Sequence, residues 1–191
     1  MILILAVLLS IAVGLLLGGK LTRLAGLPFK HGWLAFVAVA LQVIAVYVQG
    51  TRGPAILFML SYAVLILLVL INIRLAGVPL IGLGLGLNAL VIAANGGYMP
   101  VTPEAVSRAG LEHLVHDLEA GSRVLGAKDM LLPRVETNLW VLSDIFVLRG
   151  PMPTVFSIGD CVLVLGILVF FLCAMSPEIV QSLGSHSAES V

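Results

Sequence analysis

The sequence predicts an all-α membrane protein: five transmembrane helices, with an external, partly helical segment between helices four and five. Three observations predict it. Of 191 residues, 60% are apolar and only 10% charged, whereas soluble domains carry about a quarter. The apolar residues gather into five runs, 1–18, 33–49, 54–73, 78–94 and 156–175, and a helix needs roughly 20 residues at about 1.5 Å each to cross a bilayer. Runs such as YAVLILLVLI have no polar face, whereas the strands of a membrane barrel alternate apolar and polar residues.

The first run opens on Met1 and ILILAVLLS, with Lys20, Arg23 and Lys30 after it. That is the reverse of a secretory signal, which begins with positive charge, so a retained span with its amino end outside is expected. This orientation places Lys20, Arg23, Lys30 and Arg74 in the cytoplasm and leaves Arg52 in a short external loop, following the positive-inside bias. Ser10, Gly14 and Gly18 recur every fourth residue in this run, as do Gly82 and Gly86 in the fourth. Such ridges of small residues let helix backbones approach closely. Connections at 19–32, 50–53 and 74–77 are short enough to make the first four spans antiparallel neighbours. Gln42 and Gln49, like Asn88 and Asn95, stand seven apart on one face of their helices. Amides in lipid need partners, and hydrogen bonds between helices two and four are the expectation. The domain plan is a four-helix region over 1–94, an extracytoplasmic segment over 95–155, a fifth span over 156–175 and a disordered cytoplasmic tail over 176–191.

The border of the external segment reads ANGGYMPVTPE. Gly96 and Gly97 supply the positive φ with which helices commonly end, and Pro100 disfavours helix at Met99. Thr102 then caps a new helix with Pro103 first and Glu104 near its positive end. Residues 103–120 predict a modest amphipathic helix or helix pair broken at Gly110, with Leu111, Leu114, Val115 and Leu118 on one face. Glu112 and His116, like His113 and Asp117, pair across one turn, and the two His lack the H-E-x-x-H spacing of a zinc site. GSRVLGAKD reads as a mobile loop. TNLWVLSDIFVL, with Trp140 and Phe146, is apolar enough to lie on the membrane or fold back over the helix ends. Ser157 and Asp160 match a capping box at the start of the last span. Cys161 and Cys173, twelve apart on one helix, are about 18 Å apart and cannot bridge.

NGGYMPV at 95–101, TNLWVLSDI at 137–145 and SIGD at 157–160, set among apolar spans at these distances, resemble a bacterial membrane family known as domain of unknown function 5317. DIFVLRGPMP departs from that pattern where a Pro is expected soon after the Asp-Ile pair. The resemblance implies a bacterial origin, so the cytoplasmic (inner) membrane is the expected location, and it puts weight on Asn95, Gly96, Gly97, Met99, Pro100, Asp144, Ser157, Gly159 and Asp160 as one set. It carries no activity.

The candidate binding cluster is therefore Asn88, Asn95, Gly96, Gly97, Tyr98, Met99, Pro100, Asn138, Asp144, Ser157, Gly159 and Asp160, with Asp160, Asp144, Asn95 and Asn138 meeting in one external polar patch. No catalytic residue, cofactor or metal site is expected. Expected partners are the lipid bilayer and either another membrane protein or further copies of the chain. Nucleic acid is set aside, because residues 95–155 hold seven acids against five bases and offer no basic cluster to hold phosphates. Three functions fit: a non-catalytic accessory or assembly protein with an external cap, a small-solute carrier or channel using the intramembrane amides and Asp160, and a membrane-surface enzyme on a lipid or isoprenoid substrate, pairing Asp144 with Asp160.

Overall fold

The computed structural model describes residues 2–50, 52–115, 119–150 and 152–176. Six α-helices dominate: α1 (Ile2–Leu16), α2 (Trp33–Tyr47), α3 (Arg52–Ile71), α4 (Val78–Ala94), α5 (Pro103–Ala109) and α6 (Ile158–Met175). Helices α3 and α6 are long and apolar enough to cross a membrane, while α1, α2 and α4 are shorter apolar helices of 15, 15 and 17 residues. The five pack in the spatial order α2, α3, α4, α6, α1, each against the next. That order leaves α1 and α2 as the two flanks of the row, a fact on which the functional site depends.

Close approach of α4 and α6 sets the middle of the row. A Cβ on Gly84 would stand 2.6 Å from the Gly159 carbonyl oxygen and 2.7 Å from Leu163 N, and one on Gly166 would stand 2.6 Å from Ile81 N. Gly84 faces Gly159 and Gly77 faces Gly166, so the helices run antiparallel. The expected ridge on α4 is thereby shifted. Gly82 points at Val69 of α3 and Gly86 at open space, because the α6 face of α4 runs through the alternate glycine of GLGLGLN. On α1, Ser10 and Gly14 are buried, with Gly14 against Met175; Gly18 lies past the helix end with φ +80°.

The amides do not join α2 to α4, which are not neighbours in the row. Gln42 Nε2 donates to Ser61 Oγ on α3 at 3.1 Å, and Asn88 turns to α6. At the end of the bundle away from the cap, Asn72 on the turn after α3 receives Lys30 N at 2.8 Å and donates to Lys30 O at 2.9 Å. Arg23 donates to the last carbonyl of α6, Met175 O, at 3.1 Å, where a cation complements the helix dipole.

The described residues between 95 and 157 fold back as a cap, and here the all-α expectation needs correction. Strand β1 (Met99–Val101) pairs in parallel with β2 (Asp129–Leu131), and β3 (Phe146–Leu148) pairs antiparallel with β4 (Thr154–Phe156). These strands are three residues long, too short to show an alternating pattern in the sequence. The border behaves as expected: Gly96 and Gly97 have φ +73° and +93°, and Gly97 N returns to Ile92 O at 2.9 Å. Thr102 Oγ1 caps α5 by accepting from Ala105 N, and α5 ends at Gly110 with φ +73°. Val101, Ala105, Val106, Val115, Val124 and Leu131 form the cap's own small core. His116, Asp117 and Leu118, with the expected tail from 177 onward, lie outside the described residues.

GSRVLGAKD is not a free loop. Val124 bridges to Val115 and Arg123 to Met130, and the Arg123 side chain crosses to the end of α2. Its Nη1 donates to Val48 O at 3.1 Å and Gly50 O at 3.2 Å, and its Nη2 to Ala45 O at 3.2 Å. The guanidinium also lies 5.5 Å from the Tyr98 ring centroid. A planar guanidinium fork spreads its donors over several orphan carbonyls and also lies against the Tyr98 ring, a fixed geometry that the compact ammonium of a lysine does not reproduce. Arg123→Ala should therefore cost about 2 kcal/mol and open residues 119–128 to protease, while Arg123→Lys should recover little. Equal protease resistance of wild type and Arg123→Ala would show that the latch does not hold the cap.

A candidate polar cleft beneath the cap

The first turn of α6 builds the floor of the site. Ser157 caps the helix by accepting from Asp160 N at 3.0 Å, and Asp160 Oδ2 accepts from Ser157 N at 3.1 Å. This is the reciprocal box that the sequence motif predicts. From α4, Asn88 completes it: Nδ2 donates to Asp160 Oδ1 at 2.8 Å, and Oδ1 accepts from Ser157 Oγ at 2.8 Å. All three side chains are buried. Gly159 is part of the same lock, because a Cβ there would collide with Asn88 Oδ1.

Above the floor, Lys128 and Asp129 arrive from the segment entering β2, and Asp144 from the turn before β3. Asp144 N donates to Pro100 O at 3.2 Å, and its side chain is 4% exposed. Lys128 Nζ stands 3.8 Å from Asp129 Oδ1 and 3.9 Å from Asp144 Oδ2, both beyond hydrogen-bonding range. Lys128 Nζ, Asp129 Oδ1 and Asp144 Oδ1 are buried and have no hydrogen-bond partner among the described residues. Native structures leave few such groups, so this cluster stands out.

These groups line a cleft of about 620 Å³, walled by Ile2, Leu3 and Ile4 of α1, Val43 and Val46 of α2, and Phe58 of α3. Gln42 and Asp160 reach it from the bundle. With every group ionised, three carboxylates face one ammonium. Burial pushes the Asp144 carboxyl up to about 8, against the pull of Lys128 and helped by Asp129 and Asp160. Asp129 is raised as well, by burial first. Burial also opposes the charge on Lys128, but the surrounding acids, Asp144 foremost, outweigh it and hold the ammonium protonated above its ordinary range.

A pH dependence follows. The native Asp144 keeps its proton up to about 8 while the unfolded one releases it near the ordinary 3.8, so the native state binds more protons between those values. Stability should fall as pH rises across that window. The Asp129 shift acts with the same sign, and the Lys128 contribution stays constant there because both its states remain protonated. Asp144→Asn should flatten the decline in melting temperature between pH 5 and 8; two parallel curves would show that Asp144 does not carry it.

The other expected site residues lie apart from this cleft. Asn95 Nδ2 donates to Asn138 O and Asn95 Oδ1 accepts from Asn138 N, both at 2.9 Å, while Asn138 Nδ2 donates to Ala94 O at 3.0 Å. The two asparagines tie the end of α4 to the cap, which accounts for them without a ligand. Gly97 packs on Ala55, and Tyr98 on Phe58 with ring centroids 6.0 Å apart. Met99 and Pro100 are buried on β1. The single patch of Asp160, Asp144, Asn95 and Asn138 is thus two sites: an asparagine clasp and an acidic cleft. Lys128 and Asp129 carry no local signal of a site, although Lys128 is the one lysine in an acid-rich segment, and Gln42 is marked by its sequence only as an amide facing another helix.

Taken together, the fold and the cleft define a mostly helical protein with two helices of membrane-crossing length and a buried acid–lysine cluster under a small mixed cap. The chain belongs to the family of unknown function DUF5317, whose family model matches residues 26–172. That span takes in α2 to α5, the cap and most of α6. No curated protein and no solved structure matches the chain.

Proposed function

We propose that this chain is a multi-pass integral membrane protein that binds a small ligand, without transforming it, in the cleft beneath its cap. The observation carrying this reading is the cluster of Lys128, Asp129 and Asp144, buried with polar atoms unsatisfied in a cleft of about 620 Å³. That volume lies within the range of small-molecule sites. A bilayer setting is supported by the outward faces of the helices, where Leu16, Phe36, Ile56, Leu70 and Leu90 are 54% to 86% exposed. Apolar surface on that scale marks contact with lipid or protein. In this reading α1 to α4 and α6 are the five spans of a bacterial cytoplasmic membrane protein, with the amino end and the cap outside.

Binding is favoured over carriage because the Asn88–Ser157–Asp160 lock and the glycine contacts below it close α4 on α6. It is favoured over catalysis because each Asp160 oxygen is already engaged in that lock.

Two measurements test the proposal. In a chain with Cys161 and Cys173 changed to Ser, Glu104→Cys should react with a membrane-impermeant maleimide on intact cells, and Arg74→Cys only after permeabilisation. The opposite pattern inverts the topology. Native mass spectrometry of protein released from membranes should show a bound small molecule that Val43→Trp, which fills the cleft wall, removes. An adduct retained by Val43→Trp would place binding elsewhere.

A further inference from the structure

Resting on that reading, we propose that the cleft takes a primary ammonium group carried on an apolar chain. The head is dictated by what the cluster lacks. One oxygen of Asp144 and one of Asp129 accept nothing, the acids outnumber the single ammonium by three to one, and Lys128 stands too far from either partner for a hydrogen bond. A ligand ammonium brings three donors and the missing charge, so it can satisfy acceptors that Lys128 leaves open. An anion would meet three acids and no free cation, whereas an arriving ammonium draws the proton off Asp144 and binds the carboxylate so formed. A bare metal ion fits poorly, since no group of three or more His, Cys, Asp or Glu among the described residues is arranged to hold one, and the cleft is far larger than an ion. Lys128 is the resident competitor, a tethered ammonium in the place the ligand head takes.

The tail is dictated by the walls. From the carboxylates the cleft runs between Ile2, Leu3 and Ile4 on α1 and Val43 and Val46 on α2, the two helices at the ends of the packing row. An apolar chain in this gap joins the two ends of the row with hydrocarbon. An aminophospholipid or a free long-chain amine satisfies the same description, and the experiment separates them.

Octylammonium is titrated into the purified full chain in a non-ionic maltoside, with octyl sulfate as control and binding read by calorimetry and melting temperature. Octylammonium should bind and raise the melting temperature, and octyl sulfate should not. Asp144→Asn should weaken octylammonium at least about tenfold, the loss of one charge-assisted contact. Lys128→Gln, which removes the competitor, should tighten it by about threefold or more; a merely structural lysine would not do so. Val43→Trp leaves every charged group in place and should abolish binding. In nanodiscs, weaker octylammonium binding in phosphatidylethanolamine than in phosphatidylcholine, which has the same net charge but no ammonium N–H, supports the ammonium and assigns it to the lipid; equal binding supports it as a free amine. Unchanged affinity in Asp144→Asn, or weaker affinity in Lys128→Gln, overturns the proposal. If octyl sulfate binds instead and Val43→Trp blocks it, the cleft still holds ligand and only the ammonium is lost. If Val43→Trp affects neither amphiphile, the binding reading falls with it.

Discussion

Asn88→Leu should lower stability by about 3 to 5 kcal/mol. Asn88 is 1% exposed and is the single side chain by which α4 engages both members of the α6 capping box. Leucine removes the donor to Asp160 Oδ1 and the acceptor for Ser157 Oγ together. Two buried atoms, one of them a carboxylate oxygen, then lose their partner together, and each such loss costs about 1 to 3 kcal/mol. The two methyls of leucine are also bulkier than the amide oxygen and nitrogen they replace, at a place where α6 approaches so closely that a Cβ on Gly159 would collide with Asn88 Oδ1. Denaturant unfolding in detergent measures the loss. Pairing it with Asp160→Asn separates charge from packing: without the carboxylate, Asn88→Leu should cost at least about 1 kcal/mol less. A cost that is the same in both backgrounds would assign the whole effect to shape, and the lock would not depend on the charge.

The capping box shows what the sequence could reveal about this site. Ser157 and Asp160 interact across one turn, so their spacing is written in SIGD, and the cap of α5 is written in the same way in TPE. The five apolar runs were equally readable, because burial in hydrocarbon or in a bundle acts on every residue of a helix. Only their ends moved, as with α2, whose run to 49 ends as helix at Tyr47. What the sequence withheld is long-range. Asn88 meets Asp160 across 72 positions, and its face alone allowed α2 as a partner as readily as α6. Lys128, Asp129 and Asp144 come together through the parallel pairing of β1 with β2 and the bridge of Val101 to Asp144, contacts that no local spacing signals. The loop ending in them looked mobile because its anchor, Arg123, is a lone charge whose partners are backbone carbonyls on another helix, and carbonyls leave no trace in residue identity.

Gly84→Ala and Gly86→Ala should move stability in opposite directions although they lie two residues apart in one helix. A methyl on Gly84 meets backbone: Gly159 O at 2.6 Å and Leu163 N at 2.7 Å, with Leu163 Cγ also at 2.7 Å. Backbone atoms of a helix cannot turn aside as a side chain can, so α4 and α6 must separate. Overpacking of this kind costs about 1 to 3 kcal/mol and sometimes more. Separation also stretches the two 2.8 Å bonds from Asn88 to Ser157 and Asp160, one helical turn along from Gly84, so the upper end of that range is expected. Gly86 faces open space. There alanine restricts the unfolded chain and suits the helix better, which is worth about 0.5 to 1 kcal/mol in favour of the variant. The difference between the two variants should therefore approach about 3 kcal/mol, measured as unfolding midpoints in the same detergent. Helix propensity alone predicts equal gains at both sites, so equal midpoints would mean that α4 and α6 do not approach through Gly84, and that the lock holding Asp160 at the cleft floor is built some other way.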